Sequence, residues 1–574
     1  MMNVSREKAS PAGIKVSVSQ WGRRLSLGLG LLAGMALGCV PKASKEPREF
    51  LQISVEKQAT FIRNFNPLLP AGARDFTVGA IYEPLFIFNR LKSEFVPWLS
   101  TSYAWEGADY RTLHMEIRQG VTWSDGKPFR ASDVAFTFQL LKKFPAFDTN
   151  AIWVFLDDVK VTAPNRVTFT MKKTYVPGLA SLAGQPIVPE HIWASIENPV
   201  TFANPNPVGT GPFTEVKLFR DQVFELAKNP NYWQPGKPMI EGLRFPAYAS
   251  NDQANLALIK GEVDLAGNFV PAVERIYAAK DKEHNHYWSP LVGSMIFLYL
   301  NTQKPPFDQV DVRKAISMAI NRPMIIEVAM FHYSTIGHAT GLTDAFKSWR
   351  VDPTPEQGAW LTYDPGAAKA AFAKAGWTTD AEGVLKNAQG EKLTMELTVV
   401  NGWSDWVRAA QIIATNLKAV GIDAKVKSQD FGAWFESLQK GTFQAGISWS
   451  GEGVTPYAFY RQLMSEDTKL PLDTPAPANW HRYSHPQATA LLKDFEKTAD
   501  PALQQEIIAQ VQALFMQEAP ALPLFPSPAW GEFNTRHFEG FPSADNPYAM
   551  LSPNFRPEIL LMLTQLRPAK TGGG

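Results

Sequence analysis

Apolar and polar positions change period repeatedly along this chain. Leu113, Met115 and Ile117 alternate with His114, Glu116 and Arg118, the pattern of a strand with one buried face. Val167, Phe169 and Met171 repeat it. Gly120 and Ser124-Asp125-Gly126 mark turns. Ser132 is placed to cap a helix carrying Val134, Phe138 and Leu141 on one face. Asp308 or Asp311 can cap another, with Val312, Ala315, Ile316, Ala319 and Ile320. Leu393, Met395, Leu397 and Val399 give a strand that ends at Asn401-Gly402. A helix through Ile412, Ile413 and Leu417 follows, stopped by Gly421, and a new strand runs from Ile422 to Val426. This strand–loop–helix–strand order predicts an α/β fold, in which the loop after a strand's C-terminal end is a favoured ligand position. Proline and glycine crowd 204–212, where a crossing between lobes is expected.

The N-terminus has a different pattern. Arg23 and Arg24 precede an apolar run from Leu25 to Leu37, and the small Gly38 precedes Cys39. This is the basic flank, apolar stretch and small-residue site of an export signal, and it is shorter than the roughly 20 apolar residues a spanning helix needs. Cys39 is the only cysteine, so an internal disulfide and a CxxC site are excluded. Ala36-Leu37-Gly38-Cys39 resembles a lipobox, which implies cleavage after residue 38 and lipidation of Cys39. Acyl chains would then hold the protein at about 0.8 kcal/mol per buried CH2, with the polar residues up to 46 as a tether.

Composition narrows the function. A chain of 574 residues with 45% hydrophobic residues can build more than one core. Formal net charge is +1, and residues 1–38 hold Arg6, Lys8, Lys15, Arg23 and Arg24 against Glu7 alone, so the remainder is slightly acidic. Nothing there drives binding to nucleic acid. Seventeen tryptophans supply core and, in part, flat platforms for a ligand. HExxH, Walker A, GxSxG and EF-hand patterns are absent. The pairs His284/His286 and His481/His485 lack a third ligand and read as surface histidines. No metal, cofactor or catalytic residue is assigned, and binding is the simpler account than catalysis.

Several segments then stand together in order. They are Tyr82-Glu83-Pro84-Leu85, the run Ile117 to Phe129 (IRQGVTWSDGKPF), Pro207 to Phe213 (PVGTGPF), Asn229 to Trp233 (NPNYW), Val312 to Ile316 (VRKAI) and Ala319 to Arg322 (AINR). In order and spacing they resemble the family 5 extracellular solute-binding proteins of ABC importers, the oligopeptide- and dipeptide-binding class. The resemblance implies a two-lobe periplasmic-binding-protein fold with an inserted subdomain. The first lobe would combine 47–80, 206–295 and 525–574, with the subdomain at 81–205 and the second lobe at 296–524. It also implies ABC permease subunits as partners, a periplasmic or cell-surface location and a monomer.

Arg63 to Pro67 (RNFNP), Asn251-Asp252-Gln253, Phe269-Val270-Pro271 and Asn401 to Asp405 (NGWSD) are similar to the chitooligosaccharide- and cellobiose-binding branch. Carried over, Trp403 would stack on a sugar ring, Asp405 would accept from hydroxyls, and Arg63 would lie at the cleft. Asp405 as a helix cap with Trp403 packed on it is the plainer alternative, and both roles can coexist. Peptide-binding members use a Trp-x-x-Asp segment for the α-ammonium. Here it reads Trp449-Ser450-Gly451-Glu452, with glutamate one methylene longer. The ligand is thus expected to be a β-linked chito- or cello-type oligosaccharide, with an oligopeptide as the alternative. A secreted glycoside hydrolase using Asp405 and Glu452 is a third reading, which needs two carboxyl groups roughly 5–10 Å apart.

Overall fold

Three sheets organise the chain in this computed structural model, which describes residues 48–55, 59–70, 76–451 and 453–570. The export signal, Cys39, the tether and Glu452 lie outside the described residues.

A seven-stranded mixed sheet has the order Asn285–Tyr287, Glu532–Asn534, Leu265–Ala266, Phe50–Ser54, Gly242–Pro246, Val223–Lys228, Phe213–Arg220. A four-stranded antiparallel sheet joins Ser100–Glu106, Thr112–Ile117, Arg166–Met171 and Leu156–Ala163. Thr112–Ile117 alternates half-buried and buried positions, as its period of two predicts. A five-stranded sheet has the order Asp423–Gln429, Thr394–Val400, Ala445–Trp449, Met295–Leu300, Leu522–Pro526. All residues of Met295–Leu300 are buried, so this strand is covered on both faces and cannot show alternation. Thr394–Val400 pairs parallel with Asp423–Gln429, and the helix Ser404–Ala419 connects them.

Two large apolar cores result, giving the two-lobe architecture. One draws only on residues between Met295 and Phe525. The other draws on residues from Leu51 to Leu265 and again from Phe533 to Leu566. The chain crosses between them twice, and the crossings lie side by side: Ser527 N donates to Ser294 O at 2.7 Å, and Ala529 N to Pro290 O at 2.9 Å. Gly293 permits this approach, because a Cβ there would stand 2.6 Å from Ser527 O. No helix among the described residues is long and apolar enough to cross a membrane.

Some local expectations need correction. The helix with Val134, Phe138 and Leu141 spans Ala131–Lys143, so Ser132 lies inside it and Arg130 is the cap residue. Asp133 does the capping: its carboxylate accepts from Arg130 N at 2.8 Å, so the acidic N3 residue outcompetes the serine hydroxyl. The helix Val310–Met318 is preceded by Gln309, with Asp311 in its first turn. The proline- and glycine-rich 204–212 does not cross between the cores. It is pinned to the core that contains Leu51 to Leu265, where Gly211 N donates to Ile81 O and Phe213 N to Ala80 O.

Two glycines in that segment face backbone directly. A Cβ at Gly209 would stand 2.0 Å from Ile81 O, and one at Gly211 would stand 2.2 Å from Ala80 O. Gly211→Ala should therefore lower stability by about 2–3 kcal/mol, through a displacement that no rotamer can relieve. Urea unfolding of the variant checks this, and an unchanged midpoint would show that the segment yields freely.

Candidate ligand-binding site

A cavity of about 510 Å³ opens between the two cores, within the usual range of small-molecule sites, roughly 300–1,000 Å³. The wall on the 295–525 side is built at strand ends. Thr394–Val400 delivers Asn401 and Gly402, and Trp403 then stands at the N-terminus of the helix Ser404–Ala419, with Asp405 and Trp406 in its first turn. The adjacent parallel strand Ala445–Trp449 delivers Trp449, Ser450 and Gly451. The opposite wall holds Asn251, Asn268, Phe269, Asn554, Arg556 and Arg90, and the crossings contribute Gly293, Ser294 and Trp530.

Trp403 and Trp449 are half-buried and line the cavity. Trp403 meets Trp406 edge-on at 4.8 Å and tilts against Trp449 at 6.2 Å. Behind them, Phe431 and Phe435 lie nearly parallel to Trp449, and Trp480 meets it edge-on at 5.9 Å. Rings held on several sides lose little further freedom when a ligand stacks on them. At the crossings, Trp530 packs edge-on against Phe269 at 5.5 Å.

Asp405 is buried, and desolvation pushes its carboxyl up to about 6 from the ordinary 3.8. Backbone N–H groups of the helix start, the charge of Arg408 and the Asn251 amide act in the opposite direction. Asn251 Nδ2 donates to Asp405 Oδ1 at 3.5 Å, and Asn251 N donates to Gly402 O at 3.2 Å, so this turn ties the two cores together. Asp405 thus sits in the first turn of the helix, where Trp403 is the cap residue, and also faces the cavity. Asn268 Oδ1 and Asn554 Oδ1 are buried without a hydrogen-bond partner among the described residues. Arg90 is engaged by Glu558 at 2.9 Å and sits over Phe555.

Of the sequence-derived site residues, Trp403, Asp405 and Trp449 come together on one wall. Arg63 does not line this cavity. It is exposed, its guanidinium donates to Pro205 O and Asn206 Oδ1 at 3.2 Å, and it sits over Phe219. Trp530, Arg90, Asn554 and Arg556 were not anticipated, since they are distant in sequence and carry no local motif. The proline-rich run before Trp530 was the available signal for a chain crossing. His481 also needs correction: it is fully buried, not on the surface, and its Nε2 pairs with Leu463 O at 3.0 Å. His485 caps the helix Pro486–Phe495. Among the described residues no three candidate metal ligands come together.

The model of the bacterial extracellular solute-binding proteins, family 5 Middle, matches residues 94–470. The nickel-binding periplasmic protein of Escherichia coli (strain K12) is 25% identical over 423 residues, 69% of this chain and 75% of the relative. A glutathione-binding protein of the same strain is 26% identical over 475 residues, 80% of this chain and 87% of the relative. The crystal structure of a mannohexaose-bound periplasmic oligopeptide-binding protein of Thermotoga maritima superposes with a TM-score of 0.83 at 25% identity, covering 92% of this chain and 99% of that one.

The raised carboxyl has a stability consequence. Between 3.8 and about 6 the folded chain holds the Asp405 proton more tightly than the unfolded chain does, so stability falls as pH rises through that window. Above it the cost is complete. Asp405→Asn should therefore stabilise the unligated protein at pH 8 by about 1–3 kcal/mol and change little at pH 4. Thermal unfolding of both proteins at the two pH values measures the difference, and a gap independent of pH would show that burial does not strain this carboxylate.

Proposed function

Because this chain belongs to the family 5 bacterial extracellular solute-binding proteins, which serve ABC importers and are not enzymes, we propose that it captures a short β-linked oligosaccharide, of chito- or cello-type, between its lobes. The observation that carries this reading is Trp403 on the cavity wall with Asp405 two residues on in the same turn. A tryptophan face suits the C–H face of a pyranose, and a buried carboxylate accepts from hydroxyls that no solvent competes for. Asn268 and Asn554 lie on the opposite wall of the same cavity. The mannohexaose bound by the Thermotoga maritima relative supports a sugar.

A peptide is the second reading, favoured by the glutathione-binding relatives. Glu452 would then pair with the terminal amine, and Asp405 would serve as a helix cap. Hydrolysis would need Asp405 and Glu452 as a pair of carboxyl groups, and Glu452 lies outside the described residues.

We place the first lobe at 47–80, 206–295 and 525–574, its inserted subdomain at 81–205, and the second lobe at 296–524. Capture proceeds by rotation about the paired crossings, and ligand favours the closed form through its differential contacts with it. The closed form engages the permease. Signal cleavage before Cys39 and lipidation of Cys39 tether a monomer to the membrane surface.

Two measurements test this. In a tryptophan-fluorescence titration, cellobiose or chitobiose should give a saturable change that weakens at least about tenfold in Trp403→Ala. A response confined to tripeptides would overturn the sugar reading. Cys39→Ala should move the exported protein from the membrane to the soluble fraction, and unchanged membrane association would exclude the lipid anchor.

A further inference from the structure

Contacts between the two lobes occur at the cavity and also well away from it. At the cavity side, Gly402 O accepts from Asn251 N, and Tyr333 OH donates to Glu274 Oε2 at 2.9 Å. The other contact comes from residues 173–176, which leave the four-stranded sheet just after the strand Arg166–Met171. Tyr175 stacks on Phe155 of its own lobe at 4.4 Å. Its other edge meets Tyr457 of the second lobe at 6.3 Å, with the two hydroxyls 3.3 Å apart. It is the one described residue that packs against both large cores. On either side of it, Val176 N donates to Glu496 O at 3.0 Å, and Lys173 Nζ pairs with Glu496 Oε2 at 3.1 Å. Tyr457 OH donates to the remaining oxygen, Glu496 Oε1, at 2.8 Å.

Glu496 is buried, stands at the C-terminus of the helix Pro486–Phe495, and has both carboxylate oxygens engaged. Tyr457 stacks on Phe495 at 5.2 Å, so the receiving surface is preformed within the second lobe. The arm itself is fixed by the Phe155 stack and by Gly178, where a Cβ would stand 2.8 Å from the Phe155 ring. Neither side of this contact needs ligand for its construction, and none of these residues lines the cavity.

We propose that residues 173–176 form a latch that holds the lobes closed from outside the cleft, with Tyr175 as its positioning residue. The proposal rests on the hinge-closure reading above and gives the inserted subdomain a role in it. Ligand affinity in a two-state protein depends on how much of the binding-competent form is populated, so a contact remote from ligand tunes affinity. A backbone hydrogen bond and a half-buried ring contribute here, whereas the exposed ammonium of Lys173 adds little.

The test measures interlobe distance in the full soluble chain without ligand. Cys39→Ser leaves no native cysteine, and spin labels at Lys127→Cys and Lys392→Cys report on the subdomain and the second lobe. The unligated protein should show a closed, short-distance population. Tyr175→Ala should lower its closed-to-open ratio by about tenfold. Lys173→Glu sets two carboxylates face to face at an exposed position that folding does not depend on, and should shift the ratio in the same direction by a smaller factor that shrinks in high salt. Distance distributions that match the unsubstituted protein in both variants would overturn the latch. Addition of cellobiose, chitobiose or a tripeptide mixture separates the two ideas. A shift with the variants but with none of these probes leaves the latch standing and counts against the ligand reading. A shift with a probe but not with the variants does the reverse.

Discussion

Two segments of chain, and only two among the described residues, connect the lobes, and they run side by side through hydrogen bonds from Ser527 to Ser294 and from Ala529 to Pro290. This pairing constrains everything around it. It requires a residue without a side chain at Gly293, and it places Trp530 and Ser294 at the edge of the cavity. Because the whole second core lies between the two crossings in sequence, that lobe is a self-sufficient body that can turn as a unit. Rotation about two adjacent threads changes few backbone angles and leaves both cores intact, which is what hinge closure needs.

The cavity between these bodies combines features that oppose each other energetically. Its aromatic wall is backed by further rings and contributes to the second core even without ligand, so Trp403 and Trp449 are both core and surface. Asp405 does the opposite. The parallel strand and helix that position it also bury it, and its carboxyl is held up to about 6 because the helix-start N–H groups recover only part of the lost hydration. A ligand donor at that oxygen would supply the missing solvation. The carboxylate is therefore costly in the unligated chain.

Among the described residues, the contacts between the lobes include three of different character. Asn251 and Gly402 tie the cavity rim through backbone, Glu274 and Tyr333 tie it through side chains, and Tyr175 with Glu496 ties the inserted subdomain to the second lobe. The first two share residues or neighbours with the cavity, so ligand acts on them directly. The third does not. Separating a remote contact from the ligand contacts lets the balance between open and closed forms be set without altering what the cavity recognises.

Local structure was legible in the sequence wherever a single element decides it. The strand at Thr394–Val400, the helix Ser404–Ala419 and the strand Asp423–Gln429 follow from period, turn glycines and length, and the turn between the first two reaches the cavity wall. Trp403, Asp405 and Trp449 reach one wall because adjacent parallel strands end side by side. The errors arose where neighbours compete. Ser132 lies inside its helix, and Asp133 holds the helix start instead by accepting from Arg130 N. The crowded 204–212 segment suggested a crossing, but its glycines serve close contact with Ile81 and Ala80. Arg63 is engaged by its own lobe at Pro205 and Asn206. Arg556, Arg90 and the Tyr175 contact have no signature at all, since each draws its meaning from a partner far away in the chain. Sequence by itself determined the periodic elements and the class of fold, because these depend on backbone geometry and near neighbours. Only the tertiary structure decided the cavity and the contacts that close it, because they exist only once two separately folded bodies face each other.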